Sequence, residues 1–172
     1  MNNEVWKEFA AQEVSHSVAH YLTTIRDLRQ RKGYAILKDV AEELQVTKGS
    51  ASVQIKNLKE KGLVDEVDRH HLKLTDAGLE EAAKIVYNRQ VISQLLHRVL
   101  GLDAGQAEVD ACKIEHLVSH EASHRVLALV QLMQSNEAVA VEFRKRLGEF
   151  QLTCPGIDEC ELCDDTCLVD FD

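Results

Sequence analysis

The sequence predicts a mainly helical protein, with a small mixed domain at the front and a helical domain behind it. Three observations carry that expectation. Pro155 is the single proline in 172 residues and no Gly- or Ser-rich linker interrupts the chain, so the elements follow one another through short turns. Apolar residues recur at i, i+3 and i+4 over most of the length, the period of amphipathic helices. One short segment, 64–74, alternates apolar and polar instead, as a strand pair does.

Trp6, Phe9 and Val14 point to a short amphipathic helix at the start. Val18, Tyr21, Leu22, Ile25 and Leu28 then share one face of a helix of about four turns that ends at Gly33. From Leu37 to Val46 the apolar stripe is Val40, Ala41 and Leu44. Thr47-Lys48-Gly49 makes a tight turn, and a further helix runs from Ser50 to Lys61 with Ala51, Ile55 and Leu58 inward. Two short helices joined in this way match a helix-turn-helix. Val64–Val67 and Leu72–Leu74 flank Asp68-Arg69-His70-His71 as a hairpin wing.

Ser52, Val53, Lys56 and Asn57 turn outward on the second helix, and such small and basic side chains suit a helix lying in a DNA groove. Thr47, as the helix cap, with Lys48, Ser50, Ser52, Lys56 and Arg69, is expected to face the nucleic acid. Adjacent helices and a hairpin also occur in proteins with no such role. The order helix, helix, turn, helix, hairpin favours the winged helix-turn-helix.

From Asp76 helical spacing resumes through Leu79, Ala82, Ala83, Val86, Val91, Leu95, Leu96 and Val99 up to Gly101. A second run spans Ala104 to Val118, a third His120 to Met133 with Ser119 as its N-cap, and a last Glu137 to Leu147 with the basic end Arg144-Lys145-Arg146. These helices offer more apolar surface than the small domain can cover, so a homodimer interface is expected. The divisions are 1–76 for DNA binding with its helical extension, 77–149 for dimerisation and metal binding, and 150–172 for an acidic, Cys-rich tail.

A net charge of −9 is unusual for a DNA binder until it is resolved along the chain. Residues 16–76 hold 11 Lys and Arg against 9 Asp and Glu, whereas 77–172 hold 8 against 17. The front half can approach phosphates, with a modest nonspecific affinity that salt erodes. No stretch approaches the roughly 20 apolar residues of a membrane span, and the start has no signal-like pattern, so a cytoplasmic protein without membrane contact is expected. No nucleophile–base pair or phosphate loop marks an enzyme.

Cys112, Glu115 and His116 stand at i, i+3 and i+4, which on a helix sets a thiolate, a carboxylate and an imidazole along one face. Such mixed donors suit a transition metal; a buried cysteine beside a solvated Glu–His pair is the alternative. Together with Ala19-His-Tyr-Leu22, Val40-Ala-Glu-Glu-Leu-Gln-Val46, Lys61-Gly-Leu-Val64, Leu74-Thr-Asp-Ala-Gly78, Leu100-Gly-Leu102 and Ala111-Cys-Lys-Ile-Glu-His-Leu-Val-Ser119, the chain resembles the diphtheria-toxin-repressor family of iron- and manganese-dependent regulators over about residues 15–135.

The resemblance implies a metal-activated repressor of metal-uptake or homeostasis genes, binding double-stranded operator DNA as a homodimer. It implies a primary metal site of Cys112, Glu115 and His116 with His20 from the first helix, where other members place Met or Asp. One sulfur, two nitrogens and one carboxylate rank Fe(II), Co(II) and Zn(II) above Mn(II), with Fe(II) favoured. The family's ancillary site aligns with Arg89, Ser93 and Glu108. Arg89 either pairs with Glu108, a guanidinium standing in for a removable cation, or both remain exposed charges.

Cys154, Cys160, Cys163 and Cys167 lie beyond the resemblance, in a segment, 150–172, with seven Asp and Glu and no Lys or Arg. The Cys-x2-Cys core suits zinc or an iron–sulfur cluster, and a thiol tail that forms disulfides only on oxidation is the alternative. A redox or iron–sulfur sensor reading its signal through these cysteines is the competing function.

Overall fold

Ser15 opens the first helix by accepting a hydrogen bond from the Val18 amide at 3.3 Å, and Gly33 closes it at φ 81° with its amide bonded to the Arg29 carbonyl. Both residues suit these ends. The helix, α1 (His16–Lys32), buries Val18, Ala19, Tyr21, Leu22, Ile25 and Leu28. The computed structural model describes residues 14–150 apart from the Arg69 side chain. The expected helix at Trp6 and Phe9 and the four tail cysteines therefore lie outside the described residues. Two compact units divide at Gln131 and Leu132.

Helix α2 (Leu37–Glu43) stops short of the expected Val46. Gln45 turns the backbone at φ 55° and the Val46 amide returns to the Ala41 carbonyl at 3.0 Å. Helix α3 (Lys48–Glu60) begins two residues before Ser50, because Thr47 Oγ1 accepts from the Ser50 amide at 3.1 Å. Ala51, Ile55 and Leu58 are buried while Ser52, Val53, Lys56 and Asn57 are exposed, the inward and outward faces expected from their spacing. Strands β1 (Val64–Val67) and β2 (His71–Leu74) pair antiparallel, Val64 opposite Leu74 and Val67 opposite His71. Val64, Leu72 and Leu74 join the core of α1, α2 and α3.

Thr75 fastens the base of this wing to the next helix. Its hydroxyl donates to the Gly62 carbonyl at 2.7 Å and accepts from the Gly78 amide at 3.0 Å, opening α4 (Asp76–Gln94). The chains approach so closely here that a Cβ on Gly78 would lie 2.0 Å from the Leu63 carbonyl oxygen. A π-helical turn, Leu95–Val99, extends α4.

Asp103 caps α5 (Ala104–Ile114) by accepting from the Gly105 and Gln106 amides at 2.8 and 3.3 Å. The expected run to Val118 ends early: Nδ2 of the buried Asn88 donates to the Glu115 and Val118 carbonyls, both at 2.8 Å, and those carbonyls leave the helical ladder. Glu115 and His116 thus sit in the turn after α5. Ser119 caps α6 (His120–Gln134), its Oγ accepting from the Ala122 amide at 3.1 Å. In the second unit, α7 (Ala138–Glu149) carries Arg144, which donates to the Ser135 carbonyl at 3.0 Å. Among the described residues no helix is long and apolar enough to cross a membrane.

Candidate metal centre and nucleic-acid interface

Helix α4 packs against both α1 and α5, and this layering brings residues of α1 and α5 together although 92 positions separate them in sequence. His20 Nε2 lies 3.3 Å from Cys112 Sγ. One turn earlier on the same face of α1, His16 Nε2 lies 3.1 Å from His20 Nε2. One ligand atom from each of His16, His20 and Cys112 falls within 4.8 Å of the other two. The His116 ring centre is 5.3 Å from that of His16.

Glu115 points elsewhere. Its side chain is fully buried, and Arg89 on α4 grips both carboxylate oxygens, Nε on Oε2 and Nη2 on Oε1, the latter at 3.0 Å. The same guanidinium reaches Cys112 Sγ at 3.7 Å and Glu108 at 3.9 Å. Glu108 is therefore the outer partner of Arg89, and Glu115 the inner one. Such a two-pronged pair is the arrangement for which a planar guanidinium is best suited.

The electrostatics follow from this packing. Burial first, and then the neighbouring His16, lower His20 below the ordinary imidazole range, so its ring is neutral with a lone pair to give. Burial lowers His116 in the same direction. Burial raises the Cys112 thiol, with the Arg89 guanidinium opposing it. The hydrogen bonds to Glu115 raise Arg89. Two neutral imidazoles beside a thiol that can lose its proton to a cation form a donor set that fits a borderline or soft divalent transition ion.

Of the four expected ligands, His20 and Cys112 meet directly, His116 stands beside them next to His16, and Glu115 is engaged by Arg89. His16 was not anticipated. Its signal was the i, i+4 spacing of His16 and His20 on one helix face, readable only once Cys112 is known to lie opposite.

Elsewhere in the same unit, Thr47, Lys48, Ser50, Ser52 and Lys56 are all exposed along the start and outer face of α3. Thr47 Oγ1 and Ser50 Oγ lie 2.9 Å apart, and Lys56 pairs loosely with Glu60 at 3.7 Å, which leaves its ammonium able to move to a phosphate. A groove between α3 and the wing is lined by Ser52, Lys56, Lys59, Glu66 and His70. Glu66 is held there by both Lys59 and His70.

Comparison with known proteins identifies two domains in the chain. Residues 13–72 match the family model of the iron-dependent repressor N-terminal DNA-binding domain, and residues 75–138 match that of the iron-dependent repressor metal-binding and dimerisation domain. The chain is 32% identical over 129 residues, 74% of its length and 89% of the relative's, to the HTH-type transcriptional regulator MntR of Bacillus velezensis. Among solved structures it is similar to IdeR of T. acidophilum, at 27% identity and a TM-score of 0.58 over 66% of this chain and 53% of that one. It is also similar to a manganese-dependent transcriptional repressor in complex with manganese, at 28% identity and a TM-score of 0.54 over 65% and 51%. The chain spans about half the length of these two solved relatives.

Proposed function

The chain belongs to the iron-dependent repressor family of metal-dependent transcriptional regulators, and from that premise we propose that it is a homodimeric repressor of metal-uptake or homeostasis genes. It grips operator DNA through Thr47, Lys48, Ser50, Ser52, Lys56 and Arg69 when a divalent metal, Fe(II) by preference, occupies a centre built on His20 and Cys112. His116 stands beside that centre and Glu115 beneath it. The functional division falls between residues 1–76 and 77–149. One observation carries the reading: His20 Nε2 and Cys112 Sγ meet at 3.3 Å across 92 residues.

A divalent ion, when bound, supplies a positive centre that a thiolate and neutral imidazoles can share. The chain's own residues determine what that sharing does. His20 is fixed on α1, whose buried face is the spine of the domain that presents α3. Cys112 is fixed on α5, in the part of the chain matched to dimerisation. Drawing both side chains onto one point restrains α1 relative to α5, and in a dimer the separation of the two reading helices is what half-site spacing tests. Leu100, Val109, Ile114 and Leu117, between 39% and 52% exposed, give this part of the chain apolar surface for a second copy to cover.

The test is a Cys112→Ser chain. It should remain a dimer by sedimentation and lose the increase in DNA affinity that Fe(II) gives the parent. A full metal response in that variant would move the switch away from this centre.

A further inference from the structure

We infer that His16 is a metal ligand, completing an imidazole, imidazole, thiolate set with His20 and Cys112, and that Arg89 withholds Glu115 from the ion. This rests on the preceding reading that a metal binds at His20 and Cys112.

The geometry of the three donors is close to that of a coordination shell. Bond lengths of about 2.0–2.1 Å to nitrogen and about 2.3 Å to sulfur set ligand atoms of a tetrahedral ion roughly 3.3–3.6 Å apart. His16 to His20 is 3.1 Å and His20 to Cys112 is 3.3 Å, so small side-chain adjustments would admit an ion. His16 and His20 are one helical turn apart on α1, which points both rings the same way. His16 is exposed, so the set opens to solvent on one side and gives an ion a route in. His116, its ring 5.3 Å from that of His16, is the neighbour placed to take a fourth position.

Glu115 is in the opposite situation. Both its oxygens are occupied by Arg89 and its side chain has no exposure. For it to turn to a metal, a two-pronged charge-assisted pair would have to break and leave a half-buried guanidinium without its main partner, a costly exchange. Arg89 also reaches Cys112 at 3.7 Å. The guanidinium thus stands at the site as a fixed positive charge that holds one acid away from it. A donor set of nitrogen and sulfur without carboxylate selects Co(II), Zn(II) or Fe(II) over Mn(II), which favours oxygen.

Co(II) is the probe, because a thiolate ligand gives it a charge-transfer band and tetrahedral geometry gives it intense visible bands. The parent is the full chain with Cys154, Cys160, Cys163 and Cys167 changed to serine, leaving Cys112 as its one thiol. It should bind one Co(II) per protomer with both features. His16→Ala, an exposed substitution whose fold is checked by its melting curve, should lower Co(II) affinity at least about tenfold and weaken the tetrahedral bands. Glu115→Gln should leave both features in place. Unchanged affinity and bands in His16→Ala overturn the inference while the metal centre stands. Absence of a thiolate band from the parent overturns the metal-centre reading itself, and the inference with it.

Discussion

Replacing Arg89 with Met keeps most of the side chain's bulk and removes its charge. The loss is concentrated on Glu115, which has no exposure and keeps both oxygens on the guanidinium. Breaking a buried ion pair from one side leaves the remaining charge uncompensated, at a cost of several kcal/mol. Because the Arg89 side chain is 26% exposed, the lower end applies, about 3 kcal/mol. The double variant Arg89→Met, Glu115→Gln has no stranded charge and should recover to within about 1 kcal/mol of the parent. Adding Glu115→Gln to the Arg89→Met chain should therefore restore about 2 kcal/mol, a non-additive effect expected of residues in direct contact. Urea unfolding followed by circular dichroism reads these differences, at pH 7 with a chelator and at one fixed protomer concentration, since dimer stability depends on concentration. An Arg89→Met chain within about 0.5 kcal/mol of the parent, or a double variant no more stable than Arg89→Met alone, would refute the Arg89–Glu115 pair as a structural element.

Three further outcomes are expected. Lys56→Glu should weaken binding to duplex DNA of any sequence and flatten the log–log salt dependence by about one unit; identical titrations at several salt concentrations would remove Lys56 from the interface. Gly78→Ala should destabilise the fold by roughly 2 kcal/mol, because its Cβ would meet the Leu63 carbonyl at 2.0 Å and must push the wing base from α4; a melting midpoint equal to the parent's would contradict that close approach. Cys154, Cys160, Cys163 and Cys167 should add a zinc ion or iron–sulfur cluster to the full chain, since four thiolates among acidic residues repel one another without a cation. Equal metal and acid-labile sulfide in anaerobically purified full chain and a chain stopped at Thr153 would show that the tail binds none.

What the sequence made legible was whatever is decided locally. Gly33, Thr47 and Ser119 end or begin helices through contacts within four residues, and the inward set Ala51, Ile55 and Leu58 follows from helical period alone. The end of α5 was misplaced by four residues because Asn88, on another helix, draws off the Glu115 and Val118 carbonyls. Periodicity contains no trace of such a contact. The spacing of Cys112, Glu115 and His116 implied three donors on one helical face, yet the side chains part company: Cys112 faces α1, and Glu115 turns to Arg89, 26 residues earlier. Arg89 was legible as a fixed cation in place of a removable one, but its inner partner was not, since Glu108 and Glu115 are indistinguishable until α4 and α5 are packed. His16 stayed hidden for the same reason.

Metal dependence of DNA binding is the central claim, and a titration of the unmodified chain tests it most directly. A duplex selected from a random pool by the Fe(II)-loaded protein is titrated with protein under anaerobic conditions, once with Fe(II) and once with chelator. Coupling between a metal and a DNA site of the usual 1–3 kcal/mol should raise DNA affinity by roughly 5- to 150-fold with Fe(II), and His20→Ala should abolish the difference. Equal affinity with and without metal in the unmodified chain would contradict a metal-switched repressor.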